Sequence, residues 1–137
     1  MKRDKSTIIR MIKRTDIVNV EMRKIVSDHI SNRYTNVYSE ASFTYNAPHN
    51  YVVTDLFENV LVDIHFQEGP IKEAGINGVC NEDLIAMVID RLEHFQDSEF
   101  KCDENADAIK CLYNALKILR QRTNKRIEKG IEGTHIV

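Results

Sequence analysis

The sequence has 137 residues, of which 42% are hydrophobic and 29% are charged, a composition that suits one folded domain or two small ones. No apolar run approaches the ~20 residues of a membrane span, and the first residues, MKRDKST, lead into no signal-peptide core. Three cysteines without a Cys-x-x-Cys pair indicate free thiols in a reducing compartment. We therefore expect a cytoplasmic protein that does not enter a membrane.

The formal net charge of −2 conceals three segments of different sign. Residues 1–36 contain nine Lys and Arg against four Asp and Glu, residues 37–107 contain three against fifteen, and residues 108–137 contain seven against two. Both ends of the chain are therefore basic and the middle is acidic. Each basic end is a candidate for contact with an anion.

The first third of the chain predicts a broken helical segment. Apolar residues recur at helical spacing in residues 8–12 and 18–30, and Ser31-Asn32 and Thr35-Asn36 end the pattern. A solvated helix face accounts for the basic residues in this region, and an arm that binds nucleic acid or a protein partner is the alternative.

Residues 41–66 predict two or three short antiparallel strands. Phe43 and Tyr45 alternate with polar residues, residues 46–50 form a turn cluster, and residues 51–57 are rich in β-branched and aromatic side chains. From Val60 to Phe66 the apolar residues alternate with a period of two, which is typical of a half-buried strand.

Residues 67–79 predict a loop, because they contain three of the five glycines and one of the two prolines. Gly69-Pro70 and Asn77-Gly78 are both turn dipeptides, and Asn77-Gly78 tolerates positive φ. Two tight turns between a strand and a helix explain this composition. A backbone cradle, in which glycines let a ligand approach exposed N–H groups, is the alternative.

Residues 81–130 predict a hairpin of two helices. Asn81 is the expected N-cap of the first helix, residues 96–102 connect the two, and Asp103 is the expected cap of the second. Gly130 followed by Ile131 fits a Schellman stop. Apolar residues of the second helix alternate by three and four: Ile109, Leu112, Leu116, Leu119 and Thr123. Both helices have broad apolar faces, so we expect burial against the strands or against another subunit.

The predicted fold class is α+β, with an N-terminal helical segment, short antiparallel strands and a C-terminal two-helix hairpin that oligomerises. We place a domain boundary between residues 1–59, the helical and β-strand region, and residues 60–137, which hold the last strand, the Gly/Pro loop and the hairpin.

Signatures of enzymes are missing from the sequence. It has no G-x-S-x-G, no phosphate-binding P-loop, no G-x-G-x-x-G and no H-E-x-x-H motif. The five histidines are scattered and none has ligand spacing to a cysteine. We therefore expect no catalytic residue, no cofactor and no metal site.

A cluster of polar residues at the end of the chain is the strongest candidate for a binding site. Arg122, Arg126 and Lys129 lie at positions i, i+4 and i+7, and hence on one helix face. Their mutual repulsion is a cost that a polyanion relieves, and Arg binds phosphate through a planar fork. An ordinary helix end followed by a polar tail is the simpler explanation.

The residues of the loop and of the chain's end, in their order and spacing, resemble a known family. They are FQEGPIKE from Phe66, GINGV from Gly75, Phe100, Cys102, Glu104-Asn105, Ala115-Leu116, Arg122-Thr123, Arg126 and GIEGT from Gly130. Over residues 60–137 the chain resembles the phage anti-CBASS/Thoeris anti-defence hairpin family. One departure is Asp103, where members often have Arg.

The resemblance implies a sponge that binds cyclic nucleotide signals of bacterial immunity and sequesters them without cleavage, in a symmetric homo-oligomer. The implied ligands are cyclic di- or trinucleotides and also cyclic ADP-ribose isomers, bound in the cytoplasm of the host bacterium. Matching the family's motifs to this sequence gives the expected ligand-binding residues: Arg122, Arg126, Thr123, Lys129, Gly130, Thr134, Lys72, Asn77, Gly78 and Gln67.

Phe66, Phe100 and Tyr113 are candidates for stacking on the bases of such a ligand. Packing in the core is the more common role of such side chains. A protein of a different class is the alternative: an oligomeric phage structural or DNA-binding protein that uses its basic N-terminal segment. Because the net charge is close to neutral, we do not expect DNA binding.

Overall fold

The computed structural model describes residues 7–12, 17–30 and 33–137, and within them it describes side chains from residue 21 onwards. The chain forms two compact units, Met1–Glu68 and Gly69–Val137. The first unit contains an antiparallel sheet and the second is helical, which confirms the α+β class.

The first unit is a meander of five strands, in which each strand is antiparallel to the one before it. The strands are β1 (Thr7–Ile12), β2 (Ile17–Lys24), β3 (Thr35–Glu40), β4 (Asn50–Asp55) and β5 (Val60–His65). β1 and β5 form the two edges of the sheet.

The predicted N-terminal helical segment is wrong, because residues 7–12 and 17–24 are strands. They pair in register from Thr7 opposite Met22 to Ile12 opposite Ile17. Short apolar runs do not distinguish a helix from a strand by spacing alone, and the isoleucines and valines in these runs favour the strand. Thr35-Asn36, the expected end of the helical pattern, begins β3; Ser31-Asn32 lies outside the described residues.

The prediction for residues 41–66 is partly confirmed. β4 and β5 form where expected, and the break between them contains Glu58 at a φ of 67°. Phe43 and Tyr45 do not form a strand; they lie in the connection from β3 to β4 and are largely exposed. At the start of β5 Val60 and Val62 are 38% and 42% exposed, so the apolar face of β5 is more open to solvent than its alternation predicts.

Three side chains form the core of the sheet unit: Met22 on β2, Tyr38 on β3 and Val52 on β4. Met22 and Val52 are completely buried, and Tyr38 lies directly opposite Val52. Burial and the nearby Glu58 carboxylate both raise the pKa of Tyr38. The Tyr38 phenol therefore stays protonated and uncharged at neutral pH.

A polar network ties three strands together at one end of the sheet. The Glu40 carboxylate accepts hydrogen bonds from the His49 backbone N–H and from Asn50 Nδ2, both at 2.8 Å. Asn50 Oδ1 lies 2.6 Å from His65 Nδ1 on β5. Burial alone raises the pKa of Glu40, but the hydrogen bonds from Asn50 and His49 outweigh it and lower that pKa.

The second unit contains a single helical turn and the predicted hairpin: α1 (Ile71–Ala74), α2 (Asn81–Gln96) and α3 (Asp103–Glu128). Both hairpin helices are capped one residue earlier than predicted. The Cys80 N–H donates to the Asp83 carboxylate at 2.8 Å, and Cys102 Sγ accepts from the Asn105 N–H at 3.4 Å. α1 lies inside the segment for which the sequence predicts loop throughout.

Gln96 fixes the connection between α2 and α3. Its amide oxygen accepts from the Cys102 N–H at 3.0 Å, and its amide nitrogen donates to the Cys102 carbonyl at 2.9 Å. α2 and α3 then pack against each other. All five residues of the predicted α3 seam are partly buried, whereas Met87, Val88 and Ile118 are 47–61% exposed. In the described part of the chain, no helix is both long and apolar enough to cross a membrane.

The unit boundary observed between Glu68 and Gly69 differs from the sequence boundary between residues 59 and 60. β5 pairs with β4 from His65 opposite Asn50 to Val60 opposite Thr54, which places it with the sheet. The assignment of residues 1–59 and 60–137 to two domains stays a prediction.

Candidate functional site

The candidate site is built around the C-terminal end of α3, which closes with the predicted Schellman motif. Gly130 has a φ of 69°, its N–H donates to the Ile127 carbonyl at 2.9 Å, and the Ile131 N–H donates to the Arg126 carbonyl at 3.0 Å. Glycine is favoured here because L side chains are strained at positive φ. The motif ends the helix, and residues 131–137 after it have no regular secondary structure.

Arg126 holds this terminal segment with its whole guanidinium group. Nε donates to Glu132 Oε2 at 3.2 Å, Nη1 donates to the Ile136 carbonyl at 3.0 Å, and Nη2 donates to the carbonyls of Ile131 at 3.1 Å and Thr134 at 3.0 Å. The Arg126 side chain is 17% exposed. We name Arg126 together with residues 131–136 the Arg126 clasp.

The clasp contacts α1, which belongs to the Gly/Pro loop. The Lys72 N–H donates to the Gly133 carbonyl at 2.9 Å, and His135 Nδ1 pairs with the Glu73 carboxylate. A Cβ at Gly133 would lie 3.0 Å from Lys72 Cγ, so the aliphatic stem of Lys72 runs directly along the Gly133 backbone. The Gly/Pro loop and the chain's end, separate in sequence, are therefore one structural element.

The structure thus brings together four of the predicted ligand-binding residues: Lys72, Arg126, Gly130 and Thr134. The Thr134 hydroxyl already has two hydrogen-bond partners in the protein: it donates to the Ile131 carbonyl and accepts from the Ile136 N–H at 3.3 Å. Higher on α3, the Thr123 hydroxyl donates to the Leu119 carbonyl at 3.2 Å. Both threonines therefore stabilise the fold, a use of their hydroxyl groups that the sequence does not reveal.

Arg122 and Lys129 differ from Arg126 although all three lie at helical spacing. Both are exposed, and within residues 33–137 neither has a salt bridge or side-chain hydrogen bond. Lys72 is also exposed beyond its stem. Arg122, Lys129 and Lys72 are therefore the predicted cations whose charged ends are available to an anion.

The remaining predicted residues lie outside the clasp contacts described above. Asn77 is exposed and Gly78 is half-buried in the segment that leads into α2. The sequence indicates a positive φ at Asn77-Gly78. In the structure the loop residues with a positive φ are Gly69, at 79°, and Gly75, at 74°. Gln67 belongs to the sheet unit, where it is half-buried. A ligand-binding role for Asn77, Gly78 and Gln67 stays a prediction.

The aromatic candidates are placed in different ways. Phe66 packs edge-to-face on Tyr51 at a centroid distance of 5.4 Å, and Tyr113 donates from its hydroxyl to the Glu93 carboxylate at 2.7 Å. That hydrogen bond is the main reason that the pKa of Tyr113 is raised. Phe100 is 68% exposed and is therefore the most open of the three.

Phe100 borders a cleft of about 530 Å³ where α2 meets its connection to α3. The lining residues are Asp90, Arg91, His94, Phe95, Ser98 and Phe100. The Arg91 guanidinium lies 5.2 Å from the centre of the Phe95 ring. The Asp90 carbonyl, a hydrogen-bond partner of His94, raises the pKa of His94, and the Asp90 carboxylate raises it further. The sequence analysis does not predict this cleft. The spacing of one basic and two aromatic residues, Arg91, Phe95 and Phe100, is the sequence feature that could have indicated it.

In the described residues no group of three or more His, Cys, Asp or Glu side chains is arranged to hold a metal ion. The three cysteines are free thiols and are exposed. Although Cys80 is exposed as a residue, partial desolvation of its sulfur and the nearby Asp83 and Glu82 carboxylates raise the pKa of Cys80, which keeps its thiol protonated.

Comparison with known proteins gives two matches. Residues 58–123 match the family described as Acb2/Tad1, hairpin domain. The chain is 41% identical over 140 residues to Thoeris anti-defense 1 of Bacillus phage SBSphiJ7, an alignment that covers 83% of this chain and 99% of the phage protein. The expected family resemblance is therefore confirmed: the chain belongs to the Acb2/Tad1 hairpin family.

Proposed function

We propose that this chain is a phage anti-defence protein that binds cyclic nucleotide signals of bacterial immunity and sequesters them without cleaving them, in the cytoplasm of the infected cell. Family membership and the name of the Bacillus phage relative, Thoeris anti-defense 1, support the anti-defence role. The ligand class is cyclic di- or trinucleotides or cyclic ADP-ribose isomers, whose phosphates make them compact polyanions.

The observation that carries the ligand proposal is the pair of exposed cations at the end of α3. Arg122 and Lys129 are seven residues apart, hence two turns apart on one face, and neither has an acidic partner in the described part of the chain. Phosphates that bind there relieve the repulsion between these charges and form charge-assisted hydrogen bonds. Repetition of this face in a symmetric homo-oligomer matches a ligand that repeats its own phosphates.

Calorimetry with cyclic di-GMP, cyclic di-AMP, cyclic tri-adenylate and cyclic ADP-ribose tests this function. We expect tight binding of at least one compound, weakened about tenfold by Arg122→Ala and by Lys129→Ala, because each substitution removes one charge-assisted contact. Lys110→Ala, an exposed lysine nearer the start of α3, is the matched control and leaves the affinity unchanged. Absence of binding to every compound at micromolar protein contradicts the proposal.

Sequestration differs from degradation in what a denatured complex releases. The protein is incubated with the bound compound and then heated until it unfolds, and the supernatant is analysed by chromatography. Release of the intact compound supports sequestration, since binding alone lowers the free signal. Recovery of a hydrolysed product indicates an enzyme instead.

The DNA-binding alternative depends on the basic N-terminal residues, several of which lie in 1–6 and 13–16, outside the described residues. Deletion of this segment would remove β1, so replacement of Lys2, Arg3 and Lys5 by Ala is the cleaner change. A steep salt-dependent shift of duplex DNA that this triple substitution abolishes favours the alternative. Duplex DNA that stays free at low salt contradicts it.

A further inference from the structure

The edge of the sheet at β5 offers backbone groups that no described strand pairs with. β5 is the last strand of the meander and pairs with β4 on one side. Val60 and Val62 lie opposite neighbouring residues of β4, so Leu61 between them is an extra residue, which forms a β-bulge. From Val62 onwards the pairing with β4 is regular. Residues 62–66 are therefore a regular length of open strand edge.

Residues 62–66 lack the usual protection of a sheet edge. Natural sheets block their edges with lysine, proline or a bulge, because unpaired N–H and C=O groups otherwise pair with another chain. This segment reads Val-Asp-Ile-His-Phe, without lysine or proline, and the bulge lies before it. Val62 is 42% exposed, and Asp63 is exposed as well. An extended strand of another chain can therefore add to this edge.

The side chains of this segment divide into an apolar face and an acid–base face. The apolar residues alternate along the strand and share one face: Val62, Ile64 and Phe66. Asp63 and His65 share the other face. The His65 ring is held in place, because its Nδ1 lies 2.6 Å from Asn50 Oδ1 on β4. In the part of the chain whose side chains are described, Asp63 has no salt bridge.

The charges of this segment select the way in which two copies of it fit together. A two-fold axis between two antiparallel strands places one residue opposite itself. Centred on Asp63, the pair would put two carboxylates opposite each other, which is destabilising. Centred on Ile64, it puts Asp63 opposite His65 of the second copy, twice, and Val62 opposite Phe66 of the second copy. In that register the segment is complementary to itself in charge and in apolar contact.

We propose that β5 of one copy pairs with β5 of a second copy, antiparallel about Ile64, so that the two sheets join into one continuous sheet. The pairs of Asp63 with His65 fix the register, and the backbone of residues 62–66 supplies the hydrogen bonds. This contact is separate from the predicted association through the hairpin, and it needs no ligand. Because it is two-fold, an assembly in which every copy uses it has an even number of subunits.

Disulfide cross-linking of the full chain tests the register. The three free cysteines are first replaced by Ser, a favoured N-cap residue: Cys80, Cys102 and Cys111. In this background Ile64→Cys places two thiols opposite each other, so mild oxidation converts most of the protein into a covalent dimer. Val62→Cys is the matched control, because its two copies lie about 14 Å apart, too far for a disulfide. Equal yields at the two positions, or no dimer of a folded Ile64→Cys protein, overturn the proposal.

A charge reversal tests the same contact without a cysteine and without a change at the half-buried Ile64. Asp63→Lys places a base opposite His65 and adds the lysine that protects natural edges, so the association constant falls about tenfold or more. Glu58→Lys makes the same change of charge at an exposed position before β5, outside the paired segment, and leaves association unchanged. Sedimentation over a dilution series measures both, and circular dichroism checks that both variants fold.

Native mass spectrometry of the wild type completes the test, and an even number of subunits is the expected result. A wild-type particle with an odd number of subunits, or association that Asp63→Lys leaves unchanged, overturns the proposal. Because no ligand enters these experiments, their outcome is independent of the proposed function.

Discussion

The two units of the chain bury their apolar residues to very different extents. In the sheet unit, Met22 and Val52 are completely buried and Tyr38 is 4% exposed. In the helical unit, α2 buries Ile89 and α3 buries no residue at all, although α3 has 26 residues. The sheet therefore encloses a small core of its own, although Phe57 and Leu61 are 87% and 60% exposed. The hairpin exposes apolar side chains too, and it buries only Ile89.

This difference has a thermodynamic consequence. Apolar area that is already buried stabilises a unit at any protein concentration, whereas area that a second copy covers stabilises it only when the copies associate. We therefore expect the stability that the buried core gives the sheet to be independent of protein concentration and that of the hairpin to rise with it. Oligomerisation through the hairpin, predicted from the sequence, is the simplest way to cover Met87, Val88 and Ile118.

The largest difference in stability is expected between substitutions of two methionines, one buried in the sheet unit and one exposed in the helical unit. Met22→Ala removes a fully buried side chain and lowers the free energy of unfolding by about 2–5 kcal/mol. Met87→Ala, at a position that is 61% exposed, changes it by less than about 0.5 kcal/mol in dilute protein. Denaturant unfolding measured at two protein concentrations checks both values. A loss at Met87 equal to that at Met22 in dilute protein would remove the contrast between the units.

A charge on the exposed face of α3 tests oligomerisation directly. Ile118 is 55% exposed, and its burial in an assembly would contribute about 1.5–3 kcal/mol per copy. Ile118→Glu therefore shifts the native mass towards the monomer while the circular dichroism spectrum is retained. Lys117→Glu, one residue earlier and already exposed, is the matched control. A wild-type protein that is monomeric at every concentration would contradict the expectation itself.

The sequence predicts the hairpin better than the sheet, for identifiable reasons. In residues 81–130, long apolar periodicity, acidic first turns and Gly130 all indicate the same structure, and α2 and α3 lie within one residue of the expected starts. In residues 7–24 the apolar runs are short, and pairing between Thr7 and Met22 decides their conformation. That contact is non-local, so spacing within one run does not contain it.

The structure shows which of the predicted site residues meet, and their ligand-binding roles stay predictions. Lys72 and the Gly130–Thr134 motif are far apart in sequence and meet in the structure, as a shared family pattern implies. The spacing of Arg122, Arg126 and Lys129 makes them equivalent on a helix, yet Arg126 is bound by carbonyl groups of residues 131–136. Helical spacing does not reveal what the chain does after the helix ends.

Gly130 tests the helix stop that starts the Arg126 clasp. Its φ of 69° disfavours an L side chain, although a Cβ there would meet no atom within 4 Å. Gly130→Ala therefore costs about 1–2 kcal/mol of backbone strain without any steric clash, and Gly130→Asn costs less because Asn tolerates this region. Thermal unfolding of the wild type and the two variants checks this order. Equal melting temperatures for the wild type and Gly130→Ala would show that the chain leaves α3 by another route.

The smallest effect is the pH dependence of the polar network in the sheet unit. Hydrogen bonds from Asn50 and His49 lower the pKa of Glu40 below its ordinary value of 4.5, despite the opposing effect of burial. A lowered folded-state pKa means that the carboxylate stabilises the sheet above the unfolded pKa, and that this contribution is lost as the pH falls through the folded pKa. Because Glu40 is only partly buried, we expect Glu40→Gln to cost less than about 1 kcal/mol at pH 7.

Unfolding measured from pH 7 to pH 3 separates this effect from the general loss of stability in acid. The difference between wild type and Glu40→Gln stays constant down to about pH 5 and then shrinks, because protonation removes from the wild type the charge that the variant already lacks. Glu99→Gln, at an exposed position in the helical unit, is the control, and its free energy of unfolding equals that of the wild type at pH 7 and at pH 3. A difference in the free energy of unfolding between wild type and Glu40→Gln that does not change with pH would assign the loss to altered packing. The charge of Glu40 would then contribute nothing to the stability of the sheet.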